Sequence, residues 1–115
     1  MRLTTVTIWT GDPTVLRDWY VTHFGMTVLQ ETPRFVLLGS DGGASIGFHV
    51  GEPLATPDRV QLHLEVEDVD AEYQRLVAAG LVFDGPPEDR PWGVRSTAVL
   101  DPAGHSVEIT SPLRR

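Results

Sequence analysis

The chain has 115 residues, 41% of them hydrophobic and 22% charged, a length that supports one core and not two independent ones, so a single domain spanning 1–115 is expected. Nine Lys and Arg against 16 Asp and Glu leave a formal charge of -7; this favours solubility and sets nucleic acid aside, because the basic residues form no stripe beyond the terminal Arg114 and Arg115. With no cysteine, disulfides, thiolate metal sites and thiol nucleophiles are excluded, and no run approaches the roughly 20 apolar residues of a membrane-spanning helix.

The start MRLTTVTIWTGD has no signal-peptide core and reads at once as a strand, so cytoplasmic residence is the expectation. Val6 and Ile8 alternate with Thr5, Thr7 and Trp9, the period of a strand with one face on a hydrophobic layer. Asp12 followed by Pro13 predicts an N-cap and first helical position, and Val15, Leu16, Trp19, Tyr20 and Phe24 form an apolar stripe up to Gly25. This helix is expected to cover the Val6/Ile8 face. MTVLQE, RFVLLG and ASIGFHV are strand-like, broken by Pro33 and the SDGG turn.

Residues 51–59, with Pro53 and Pro57, read as a linker between module one (3–50) and module two (60–112). QLHLEV then repeats the opening pattern: Leu62, Leu64 and Val66 point one way, Gln61, His63 and Glu65 the other. Asp68 opens a second helix with Tyr73, Leu76 and Val77 on its apolar side, and Gly80 is placed for a left-handed C′ position. PPEDRPWG reads as a loop, and Arg95 to Leu100 and His105 to Thr110 as strands joined by the turn Asp101-Pro102-Ala103-Gly104. His105 in that turn is expected to be exposed, and His49 to face solvent.

TVTIWTGD, FGM, QLHLEVEDVDAEYQRLVAAG and PWGVRSTAVLDPAGHSVEITSP, in the order βαβββ twice, resemble the vicinal oxygen chelate superfamily of glyoxalase I, bleomycin and fosfomycin resistance proteins and extradiol dioxygenases. The resemblance implies an α+β fold: two βαβββ modules form a cup-shaped, partly open barrel-like sheet with helices outside and a ligand or metal within. It also implies a homodimer. Carried onto this chain, the metal-ligand positions of the superfamily are Thr5, Gln61, Glu108 and one position near Gly47 to His49. Only Glu108 is a strong ligand there, so no metal cofactor is expected, as in the bleomycin resistance branch. A shifted divalent-ion site would use His63 and Glu108 with Gln61 or His49.

The candidate ligand-binding residues are Thr5, Thr7, Trp9, Gln61, His63, Glu65, Trp92, Arg95 and Glu108. Trp9 and Trp92 offer indoles that stack on a planar molecule while the N–H makes one directional bond; packing at a dimer contact for Trp9, and pinning of its own loop for Trp92, are the plain alternatives. Val107 and Ile109 flank Glu108, which therefore points the other way, into the cup. Arg95 either steers an anionic group or pairs with Glu65 or Glu108. EVEDVDAE needs no cation, since carboxylates favour a helix start. The function these residues point to is binding of an apolar or aromatic small molecule without a catalytic metal. The alternatives are a metal-dependent lyase, isomerase or dioxygenase, and a metal-free acid–base enzyme using His63 and Glu108 as catalytic residues.

Overall fold

The computed structural model describes residues 1–113; the terminal Arg114 and Arg115 lie outside the described residues. The chain divides into two compact units, Met1–Ala55 and Thr56–Arg115. Each has the element order βαβββ, so the expected α+β architecture is the one adopted, as two open four-stranded mixed sheets, each with one helix.

In the first unit, β1 (Thr5–Thr10), α1 (Pro13–Phe24), β2 (Thr27–Thr32), β3 (Phe35–Gly39) and β4 (Ser45–Val50) form a sheet of order β1-β4-β3-β2. β1 and β4 run parallel, and the other neighbours antiparallel. The Asp12 carboxylate accepts from the Thr14 and Val15 amides, with Pro13 at the first turn, satisfying N–H groups that a helix start otherwise leaves orphaned. Gly25, at φ 65°, ends the helix in the left-handed conformation that glycine adopts without strain. α1 buries Pro13, Leu16 and Tyr20, and Tyr20 stacks on Phe48 with ring centroids 5.5 Å apart. With Ile8, Val36, Leu38 and Ile46 these side chains make the core of the unit, each contributing about 1.5–3 kcal/mol of transfer free energy when fully buried.

Two expectations need correcting here. α1 packs on β2, β3 and β4, because the sheet order leaves β1 at an edge; Ile8 is buried, but Val6 is 43% exposed. Val15 falls outside the helix stripe and is also exposed, while Trp19 is half-buried, edge-on to Tyr20.

In the second unit a 3-10 turn at Pro57–Arg59 precedes β5 (Gln61–Glu65), α2 (Val69–Ala78), β6 (Glu88–Asp89), β7 (Val94–Leu100) and β8 (Ser106–Pro112), in the order β5-β8-β7-β6. β5 and β8 are the parallel pair. Asp68 caps α2 through the Ala71 amide, and Gly80 follows the cap at φ 97°. Val69, Leu76, Val99, Val107 and Ile109 are buried; Tyr73 meets the edge of Phe83 at 5.2 Å, whereas Val77, expected on the apolar side, is exposed. The Pro-rich stretch read as a loop contains the short strand β6, held to β7 by Glu88↔Ser96 and Asp89↔Arg95 pairing. Arg90 anchors this hairpin: Nε donates to Ser96 Oγ at 3.0 Å, Nη2 to the Ser96 carbonyl oxygen and Nη1 to Glu88.

His105 is not exposed. It is 1% accessible, with Nδ1 2.9 Å from Asp101 Oδ2, while Asp101 Oδ1 accepts from the backbone amides of Ala103 and His105. The aspartate folds the β7–β8 connection over itself, and burial of the imidazole follows from that closed turn.

Candidate functional site

Strand register decides which residues share a face, since paired residues on neighbouring strands point the same way. In the first unit the face away from α1 carries Thr5, Thr7 and Trp9 on β1, Ser45, Gly47 and His49 on β4, and Leu37 and Phe35 on β3. Trp9 pairs with His49, and His49 with Phe35. Three rings therefore form one row across three strands: Trp9–His49 centroids lie 5.5 Å apart with planes at 30°, and His49–Phe35 centroids 6.0 Å apart at 49°.

Glycine makes the row possible. A Cβ at Gly47 would lie 2.7 Å from Phe35 Cε1 and 2.9 Å from Thr7 Oγ1, and one at Gly51 would overlap Trp9 Cδ1. The phenyl and indole rings thus lie down against β4 and its extension, a close approach that any larger residue would block. Trp9 remains 50% exposed. His49, expected to face solvent, is instead half-buried between the two aromatic rings.

In the second unit the corresponding face presents Gln61, His63 and Glu65 on β5 beside Ser106, Glu108 and Thr110 on β8. Gln61 Nε2 donates to Ser106 Oγ at 3.1 Å. His63 Nδ1 stands 3.7 Å from Glu108 Oε2, the imidazole 58% exposed and the carboxylate side chain 11%. That separation is an ion-pair distance for protonated His63, and too long for a hydrogen bond.

Arg95 departs from the expected arrangement. It pairs with neither Glu65 nor Glu108: Nε and Nη2 grip both Asp70 oxygens at 2.9 and 3.0 Å, and Nη1 donates to Asp89 Oδ1 at 3.0 Å. The register explains this, because Arg95 lies opposite Ser111 on the helix-covered face, two residues from Thr97 and its partner Ile109. The forked hydrogen bond from Arg95 and its positive charge hold Asp70 below the usual carboxylate range, and Asp70 and Asp89 in turn push the guanidinium up. A cleft of about 830 Å³ adjoins this cluster, lined by Glu67, Asp68, Asp70, Glu72, Asp89 and Arg95 among others. Its five carboxylates make it a poor host for an apolar or anionic molecule. Trp92 lies in the turn before β7 and is 69% exposed; Arg90, not Trp92, holds that loop.

Each unit, taken by itself, offers few strong donors for a divalent ion. Among the described residues no three His, Asp or Glu side chains come together as a metal site. In the second unit Glu108 and His63 are two strong donors and Gln61 is engaged with Ser106, and in the first unit Thr5 offers only a hydroxyl, a weak ligand, so no step through a metal is derived.

Phe35 and the central place of His49 were not evident from motif reading. The signals are nonetheless present in the sequence: Phe35 alternates with the buried pair Val36 and Leu38, and His49 has Gly47 and Gly51 two residues to either side, so that its same-face neighbours have no side chains.

Comparison with known proteins places these faces in a family. Solved structures with similar folds include TioX from Micromonospora sp. ML1, at 31% identity and TM-score 0.78 over 98% of this chain and 100% of that one. TnmS3, an antibiotic binding protein from Streptomyces sp. CB03234, is 27% identical with TM-score 0.79, covering 98% and 97%. A glyoxalase/bleomycin resistance protein/dioxygenase from Nocardioides is 26% identical with TM-score 0.81, covering 99% and 85%. Proteins of Mycobacterium bovis and Mycobacterium tuberculosis match at 44% identity over 55 residues, 48% of this chain and only 36% and 32% of theirs, so the match spans about a third of those relatives. The family model for the Glyoxalase/Bleomycin resistance protein/Dioxygenase superfamily matches residues 2–109, and with the paired βαβββ units this establishes that the chain belongs to that superfamily.

Proposed function

We propose that this protein binds a planar, largely apolar small molecule and releases it unchanged, without a catalytic metal. The observation that carries this reading is the Trp9–His49–Phe35 row. Flat rings laid on a sheet present a broad π surface, and aromatic stacking contributes about 0.5–1.5 kcal/mol per pair beyond the area buried. The thin donor set at Gln61, His63 and Glu108 supports the metal-free part of the proposal, and the likeness to an antibiotic binding protein supports a natural-product ligand. Sequestration of such a ligand is how the protein would confer antibiotic resistance.

A second reading, metal-free acid–base catalysis, is favoured by one contact: the His63 imidazole beside a nearly buried Glu108. Calorimetric titration with a planar aromatic probe such as 2-naphthol, followed by chemical analysis of the recovered probe and of candidate natural products, separates the two. Saturable binding that Trp9→Ala and Phe35→Ala each weaken about tenfold, with ligand recovered intact, supports the binding protein. Turnover of a candidate that disappears in the His63→Ala, Glu108→Gln double variant supports the enzyme.

A further inference from the structure

The hydrogen bonding of His49 restricts the ligand further than its aromatic surroundings do. His49 Nδ1 lies 2.7 Å from the Val50 carbonyl oxygen. A carbonyl oxygen only accepts, so Nδ1 carries the proton of this bond. Neutral imidazole has one N–H, and Nε2 is therefore left as an acceptor. No buried side-chain nitrogen or oxygen among the described residues is without a hydrogen-bond partner, and the contact with Val50 is the hydrogen bond the ring makes there. Nε2 is thus an acceptor that is not fully buried. Its direction is set by the Trp9 and Phe35 rings on either side, and the glycines at 47 and 51 place no side chain beside it on that face.

We propose that His49 selects the ligand of this face, accepting at Nε2 a hydrogen bond from an O–H or N–H on the rim of a planar aromatic molecule. The proposal rests on the binding reading above and goes further by naming the ligand class as phenols, aromatic amines and N–H heteroaromatics. A molecule lying on the indole and phenyl rings displaces the water that solvates Nε2. A rim donor replaces that water; an ether or ester oxygen brings a second lone pair against the first and leaves the imidazole acceptor unsatisfied. His49 is thereby a specificity-determining residue, and Trp9 and Phe35 supply the surface on which either kind of molecule stacks.

The test compares 2-naphthol with 2-methoxynaphthalene, which differ by one methyl group on the oxygen. Wild-type protein is expected to bind 2-naphthol about three- to tenfold more tightly, the effect of one net hydrogen bond. His49→Phe is expected to lose the preference between the two probes. Equal affinities in the wild type, or a preference that survives in His49→Phe, overturn the role of His49 while binding that Trp9→Ala weakens for both probes leaves the aromatic face standing. Absence of binding by either probe overturns both. A long-range nitrogen-15 correlation spectrum of the wild-type protein gives an independent readout, needing no variant to fold: the proton is expected on Nδ1, and a neutral ring protonated on Nε2 contradicts the proposal.

Discussion

Trp9 and His49 are directly paired across the parallel β1–β4 strands, their rings 5.5 Å apart, and the indole lies over Gly51 just beyond the strand end. This relationship joins a backbone feature, a side-chain-free position, to a chemical one, an open aromatic surface. It predicts that Gly47→Ala disturbs the surface by pushing directly on the Phe35 ring. The new methyl meets Phe35 and Thr7, an overpacking that costs about 1–3 kcal/mol. Urea denaturation should show that loss, and calorimetry a weakened aromatic probe; an unchanged midpoint and affinity would mean the ring does not need this clearance.

The Asp101–His105 contact is a structural staple of the second unit. Asp101→Ala removes the acceptor for two backbone amides and for the imidazole in a nearly solvent-free turn, and is expected to cost about 3 kcal/mol. The denaturation midpoint reports it. A loss below about 1 kcal/mol would show that water enters and satisfies the turn.

Acid sensitivity should trace in part to Asp70. Its hydrogen bonds from Arg95 place the folded-state value below the ordinary 3.8. A depressed carboxylate contributes stability that is present above its unfolded value and is lost as pH falls through the folded one. Both side chains are well exposed, so solvent screens the effect. Wild type should therefore lose more stability than Arg95→Gln as pH is lowered from above 3.8 to below the folded-state value. Parallel curves for the two proteins would contradict the assignment.

His63 contributes little to folding on this account. Its ring is 58% exposed and 3.7 Å from Glu108, so His63→Ala should change stability by less than about 1 kcal/mol. A larger loss would mark the imidazole as a structural partner of the carboxylate.

Much of the fold was legible from local rules. Asp12-Pro13 and Asp68 mark helix starts, Gly25 and Gly80 their ends, and period-two alternation identifies the first strand of each unit. Errors arose where a side chain answers to a neighbouring strand. Taken on its own strand alone, Arg95 reads as a partner of Glu65 or Glu108; its alignment with Ser111 puts it on the helix side, within reach of Asp70. His105 was read as a turn residue and hence exposed, although an aspartate four positions earlier could close the turn around it. The aromatic row was hardest to see, since it needs residues from three strands and two glycines whose importance lies in what they lack.

The most direct test of the central claim is calorimetric titration of the chain with 2-naphthol in the presence and absence of EDTA, using wild type and Trp9→Ala, with the probe recovered and weighed by mass spectrometry. The account predicts saturable binding indifferent to EDTA, about tenfold weaker in Trp9→Ala, and an unaltered probe. Binding that EDTA abolishes, or that Trp9→Ala leaves untouched, would contradict it.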